Sequence, residues 1–143
     1  MTTTAGCELC QSAGGDVIVE TGKLRVVLVD EPNYPGFCRV IWSVHATEMT
    51  DLQIADRSHL MQAVCKVEEA VRRVMAPHKV NLASLGNMTP HLHWHVIPRF
   101  LDDAHFPTPV WGPALRESTP CALQSRIALV PALRNEIKTM FAL

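Results

Sequence analysis

The spacing of apolar and polar positions changes period twice along the chain. Val17-Ile18-Val19 and Leu24-Arg25-Val26-Val27-Leu28-Val29-Asp30 are aliphatic, largely β-branched runs separated by Thr21-Gly22-Lys23, which predicts a β-hairpin. Turn chemistry in Asn33-Tyr34-Pro35-Gly36 precedes a third strand-like run from Phe37 to Val44. Helical spacing then takes over: Leu60, Val64, Val67, Val71 and Val74 recur in steps of four and three, with Arg57, Gln62, Lys66, Glu69 and Arg73 on the wet side. Thr50-Asp51-Leu52-Gln53 has the form of a capping box and marks the predicted helix start. Pro77 lacks an amide proton and clashes with the preceding turn, so the helix is expected to end near Ala76, with Arg72 and Arg73 at the negative end of its dipole.

Lys79 to Leu85 reads as a strand, Gly86-Asn87-Met88-Thr89-Pro90 as a tight loop, and His91-Leu92-His93-Trp94-His95-Val96-Ile97 as the returning strand of a hairpin. Successive strand side chains point to opposite faces, which puts three imidazoles on one side and Leu92, Trp94 and Val96 on the other. Three such rings buried without a task would leave several polar atoms unpartnered, so the run is read as a site. Pro107, Pro109, Pro113 and Pro120 make the next stretch an irregular covering segment. Pro131 in a first turn, followed by Leu133, Ile137, Met140 and Phe141, predicts a C-terminal helix. Hairpins without βαβ repeats give the class α+β, an antiparallel sheet with helices on one face. Residues 1–143 are expected to form one domain: a core over 7–101, an irregular segment over 102–130 and a helix over 131–143.

Composition narrows the function. Hydrophobic residues make up 48% of the chain and the formal net charge is −1, so disorder is excluded and no basic field invites nucleic acid. No apolar run reaches the ~20 residues of a membrane span, and Met1-Thr2-Thr3-Thr4-Ala5-Gly6 lacks the form of a signal peptide, which predicts a cytoplasmic protein. Cys7-Glu8-Leu9-Cys10 has a spacing suited to metal or redox chemistry, whereas Cys38, Cys65 and Cys121 read as small apolar fillers. The triad supports two chemistries. Imidazoles bind Zn, Cu or Fe, and all three rings on one ion would make a metal-dependent enzyme. A neutral imidazole can also attack phosphorus while a neighbour meets a phosphate oxygen.

His91-x-His93-x-His95 followed by Val96-Ile97-Pro98-Arg99 resembles the signature of the histidine triad (HIT) superfamily of nucleotide hydrolases and transferases. The likeness extends from Cys7 to Arg99 through the order of elements, Asp30 at a strand end, His45 after the next strand and the Gly-led loop before the triad. The resemblance implies a HIT-like sheet of about five strands with one long helix and a C-terminal helix. It implies that His93 is the nucleophile that becomes nucleotidylated, that His95 contacts the phosphate, and that Asp30 holds the ribose hydroxyls. The substrate would be a dinucleoside polyphosphate or nucleoside phosphoramidate, cleaved to a nucleoside monophosphate without a catalytic cofactor. Some bacterial members carry structural zinc, and the matching positions are Cys7, Cys10, His45 and His91. Two-fold dimers are common in the family, so a homodimer is expected. One departure stands out: many members have Gly-Gln-Ser or Gly-Gln-Thr before the triad, and this chain has Gly86-Asn87-Met88-Thr89. Asn87 supplies an amide of shorter reach and Thr89 a hydroxyl one position later, which leaves a weakly catalytic nucleotide-binding protein as the alternative. Trp111 is open between stacking a base and packing a loop.

Overall fold

The computed structural model describes residues 3–142. Its elements, in chain order, are α1 (Glu8–Gln11), β1 (Asp16–Glu20), β2 (Leu24–Leu28), β3 (Cys38–Trp42), α2 (Ile54–Met75), β4 (Lys79–Ala83), β5 (His93–Arg99), α3 (Pro120–Ile127) and α4 (Val130–Phe141). The strands form one sheet in the order β1-β2-β3-β5-β4, and every neighbouring pair is antiparallel. This is the α+β architecture, with five antiparallel strands, that the resemblance implies.

Residues paired across neighbouring strands share a face of the sheet, so register sorts the side chains. Leu24, Val26, Cys38, Val40, Trp42 and Val96 lie on the face covered by α2 and α4, where Leu60, Val64, Val67, Val71, Leu133 and Ile137 complete the main core. Burying each aliphatic side chain there contributes about 1.5–3 kcal/mol. The opposite face carries Arg25 and Val27 from β2, Arg39 and Ile41 from β3, and His93 and His95 from β5. Two separate pieces of chain cover it. Cys7 and Leu9 pack on Val27 and Ile41, while Tyr34 and Phe37 pack with Ile97 and Val110. The triad strand lies between these two covers.

Four expectations are corrected. Helix α2 begins at Ile54 and not at Thr50, because Met49–Asp51 forms a separate 3₁₀ turn capped reciprocally by Glu48 and Asp51. Its end agrees with the reading: Ala76 adopts a left-handed conformation (φ 47°) and its amide donates to the Arg72 carbonyl before Pro77. The 102–130 segment is irregular only to Ser118, since Thr119 caps the Ala122 amide and Pro120 opens α3. Cys65 and Cys121 are exposed, unlike the buried Cys38: Cys65 falls on the wet side of α2 and Cys121 in the first turn of α3. Finally, β5 starts at His93, which leaves His91 in the bend before it.

Candidate active site and metal centre

His91, outside the regular strand, is free to turn away from the other two rings. Its Nε2–H donates to the Trp42 carbonyl at 2.6 Å, which leaves the Nδ1 lone pair for another partner. Nδ1 lies 3.4 Å from both Cys7 Sγ and Cys10 Sγ and 3.3 Å from His45 Nδ1, and Cys10 Sγ is 3.4 Å from His45 Nδ1. The four donor atoms all fall within 4.8 Å of one another. Zn–S and Zn–N bonds of ordinary length give tetrahedral S···N and N···N edges of about 3.5 and 3.3 Å, so Cys7, Cys10, His45 and His91 fit a closed Cys₂His₂ zinc site. Of the three triad rings, His91 alone joins this cluster of donors. Burial depresses the His91 pKa, in keeping with a neutral ligand, and the Trp42 carbonyl fixes the ring orientation as outer partners of metal ligands do. The C-x-x-C works because α1 is a single turn that brings residues 7 and 10 together. Arg25 holds that turn in place, donating to the carbonyls of Leu9, Ser12 and Ala13.

His93 takes its orientation from the same residue. Its Nδ1 is 2.6 Å from the His91 carbonyl oxygen. A carbonyl only accepts, so Nδ1 carries the proton and Nε2 the lone pair. Burial lowers the His93 pKa, with the Arg39 guanidinium adding to the effect and the bond to the His91 carbonyl opposing it. His95 is buried beside it, the rings edge-on at 4.9 Å between centroids. Desolvation, then His93 and Arg39, bring the His95 pKa down to about 4, and its Nδ1 is buried without a hydrogen-bond partner. Phe37 and Trp111 flank the ring, with centroids 5.6 and 5.1 Å away. The pair thus consists of neutral imidazoles held in an apolar frame, one of them with a directed free lone pair.

Beside His95 a cleft of about 270 Å³ is lined by Val29, Tyr34, Phe37, Arg39, His105 and Trp111, among others. Asp30 is exposed and is not itself among the lining residues, although its chain neighbours Val29 and Glu31 are. The Gly86–Pro90 loop places its residues differently. Asn87 is exposed, and Met88, 95% exposed, and Thr89 line a second cavity with Cys7, Glu8 and His45.

Three features of the site were not singled out in the sequence. Arg39 is a polar residue in the middle of an apolar strand run, and that oddity was the available signal. Tyr34 and His105 meet at 2.5 Å only because residues 100–108 fold back over the sheet. The buried Arg99–Asp103 pair beneath them is an i, i+4 spacing outside any helix, which no periodicity marks.

Comparison with known proteins agrees with this geometry. The HIT domain family model matches residues 11–102, and the chain belongs to that family. It is 30% identical over 103 residues to an AP-4-A phosphorylase of Mycobacterium tuberculosis, covering 67% of this chain and 53% of that protein. The chain thus spans about half the length of the curated relatives it matches. A histidine triad protein of Bradyrhizobium japonicum superposes with a TM-score of 0.73 at 27% identity, covering 96% of this chain and 99% of that one. A Zn-bound histidine triad family protein of Mycobacterium smegmatis has the same fold, with a TM-score of 0.63 at 19% identity over 94% of this chain and 95% of its own. Among the described residues, no helix is long and apolar enough to cross a membrane.

Proposed function

We propose that this protein is a nucleotidyl-transfer enzyme of the HIT type, acting on a dinucleoside polyphosphate or a nucleoside phosphoramidate through a covalent nucleotidyl-histidine. The observation that carries the reading is the bond from His93 Nδ1–H to the His91 carbonyl, which leaves the lone pair of the other ring nitrogen free for nucleophilic attack. In the first step the Nε2 lone pair forms a bond to the α-phosphorus, and the bond to the leaving group breaks with its electron pair on the leaving group. In the second, a water oxygen bonds to the same phosphorus while the P–N bond returns its pair to His93. The water proton passes to solvent and a nucleoside monophosphate departs. The AP-4-A phosphorylase relative adds inorganic phosphate as an alternative acceptor in this step. His95 is assigned to the phosphate, Asp30 to the ribose hydroxyls, and Asn87 and Thr89 to the leaving-group side.

Cys7, Cys10, His45 and His91 are assigned to structural zinc. Four protein donors leave no open position, so a metal there ties the N-terminal segment to the triad and contributes no reacting group. No catalytic cofactor is assigned. The assembly is a homodimer in the cytoplasm. Met88, highly exposed where a hydroxyl would hold the leaving group, favours a second reading, a zinc-held nucleotide-binding protein of low turnover.

Rapid acid quench with diadenosine tetraphosphate or adenosine phosphoramidate, followed by intact mass and peptide mapping, separates the two. The enzyme reading expects an adenylyl adduct on His93 that His93→Ala abolishes, with turnover falling by about 10³-fold or more, the scale of losing a nucleophile. Tight nucleotide binding with no adduct supports the second reading instead, and an adduct on another residue overturns the assignment.

A further inference from the structure

On the chemical face of the sheet Arg25 and Arg39 stand on adjacent strands, and they are employed differently. Arg25 directs Nε and Nη2 to three loop carbonyls. Arg39 makes one such bond, from Nη1 to the Gly14 carbonyl at 3.0 Å, while its Nε is buried with no acceptor. The buried guanidinium of Arg99, at the end of β5, is matched by Asp103, and the partly exposed one of Arg134 by Asp16. Arg39 has no ion pair of this kind among the described residues, and Glu8, exposed on α1, is the acidic group that acts on it. A half-buried guanidinium with an orphaned N–H is costly unless an anion completes it.

Its position says which anion. Arg39 is paired in register with His95 and so shares the face of His93 and His95. It also lines the cleft beside His95, whose walls include the apolar and aromatic side chains of Val29, Tyr34, Phe37, Val110 and Trp111, with Glu31, Asn33 and His105 as its other polar residues. One cleft thus joins an aromatic and aliphatic wall to a cation at the reacting pair, the complement of a nucleotide.

We infer that Arg39 binds an anionic oxygen of the phosphoryl group adjacent to the one His93 attacks, and so selects phosphoanhydride substrates, the dinucleoside polyphosphates, over single-phosphate amidates. This rests on the nucleotidyl-transfer reading and decides between its two substrate classes. The chemistry of departure supports the choice. An amine leaving from a phosphoramidate must take up a proton as the P–N bond breaks. His95, its pKa pushed down to about 4 chiefly by burial, with His93 and Arg39 adding to the effect, carries no spare proton at neutral pH. A nucleotide leaving from an anhydride departs as an anion with the P–O electron pair. It needs no proton and is stabilised by a fixed positive charge. Arg39 supplies that charge, and a guanidinium stays protonated throughout.

The test compares Arg39→Met and Arg39→Lys with the wild-type chain on two substrates that share an adenosine α-phosphate, diadenosine tetraphosphate and adenosine phosphoramidate. Losing one charge-assisted bond is expected to lower kcat/KM for the tetraphosphate by about 10- to 100-fold, with less than about threefold change for the amidate. Arg39→Lys, which keeps the charge without the planar fork, falls between. Equilibrium titration with ADP and AMP reads the same contact without turnover. Wild type prefers ADP and Arg39→Met binds both alike. Equal losses on both substrates would make Arg39 a ligand of the attacked phosphate and overturn the inference. So would an ADP preference that survives in Arg39→Met. Should Arg39→Met fail to give a single thermal transition, Arg39→Lys and the wild-type ADP-to-AMP ratio decide, and a ratio of one overturns the inference. Absence of any His93 adduct sinks the nucleotidyl-transfer reading instead, while the titration still reports on Arg39.

Discussion

Six donors converge on the Asp103 carboxylate: Nε and Nη2 of Arg99, the amides of Phe100, His105 and Phe106, and the Tyr34 hydroxyl. Burial alone would raise its pKa, but the Arg99 guanidinium and the backbone amides outweigh burial and hold it down to about 2. Removing one partner of a buried pair leaves an uncompensated charge, so Asp103→Asn is expected to destabilise the fold by about 3–5 kcal/mol, measured by urea unfolding at neutral pH. The acid response has a definite sign. A carboxylate depressed from an ordinary value near 4 to about 2 contributes its full stabilisation above pH 4. That contribution, about 2–3 kcal/mol, is lost as pH falls towards 2. Urea midpoints measured between pH 2 and 7 should fall less steeply for Asp103→Asn than for wild type, and parallel acid arms would contradict the assignment. The same network carries the cleft wall, because Arg99 also donates to the Thr108 carbonyl and Tyr34 meets His105.

At the scale of elements, the N-terminal segment has little packing of its own, since α1 is four residues long and buries only Leu9. Close backbone approach secures the stretch between α1 and β1: a Cβ on Gly15 would lie 2.6 Å from the Leu28 carbonyl oxygen and 2.8 Å from the Val27 side chain. Gly15→Ala is expected to cost about 1–3 kcal/mol, read as a lowered thermal midpoint. Metal does the rest on the zinc assignment. Cys7→Ser with Cys10→Ser should remove stoichiometric zinc by elemental analysis and lower the midpoint further, whereas Cys65→Ser, at an exposed position on α2, should change neither. Elements set by local period were legible in the sequence: the three leading strands, the Leu60 to Val71 stripe of α2 and the C-terminal helix all reflect side-chain alternation. What escaped depends on the tertiary fold. Strand period alone puts His91 with its two neighbours, and only the competing donors of Cys7, Cys10 and His45 draw it aside. In α3 the local sequence carries a cap and a first-turn proline but no buried stripe, so hydrophobic spacing could not reveal it. Arg39 was visible as a letter, yet its neighbours come from strand pairing.

For the whole molecule, sheet order leaves β4 at an edge with one ladder unpaired. Leu82 and Leu85 are exposed there, and Lys79 to Ala83 line a groove of about 600 Å³ that reaches Arg99 and Trp111. The proposed homodimer buries this edge. Light scattering should return the mass of two chains, and Leu82→Glu should shift the population towards one. A single-chain mass at every concentration would remove the dimer. Trp111 lies on the groove as well as beside His95, so dissociation should also change its fluorescence.

One peptide unit separates what two assays would treat as independent. The His91 ring belongs to the Cys₂His₂ cluster, and its carbonyl accepts the hydrogen bond from His93 Nδ1–H. Genetics of this protein should therefore show epistasis with a direction. Changes at Cys7 or Cys10 reach His93 through the backbone of residue 91, so their effect on adduct formation should shrink in a background where that backbone is already displaced. His91→Ala should confound the two phenotypes from the outset. A mutational scan that scored stability and chemistry separately would find position 91 on both axes.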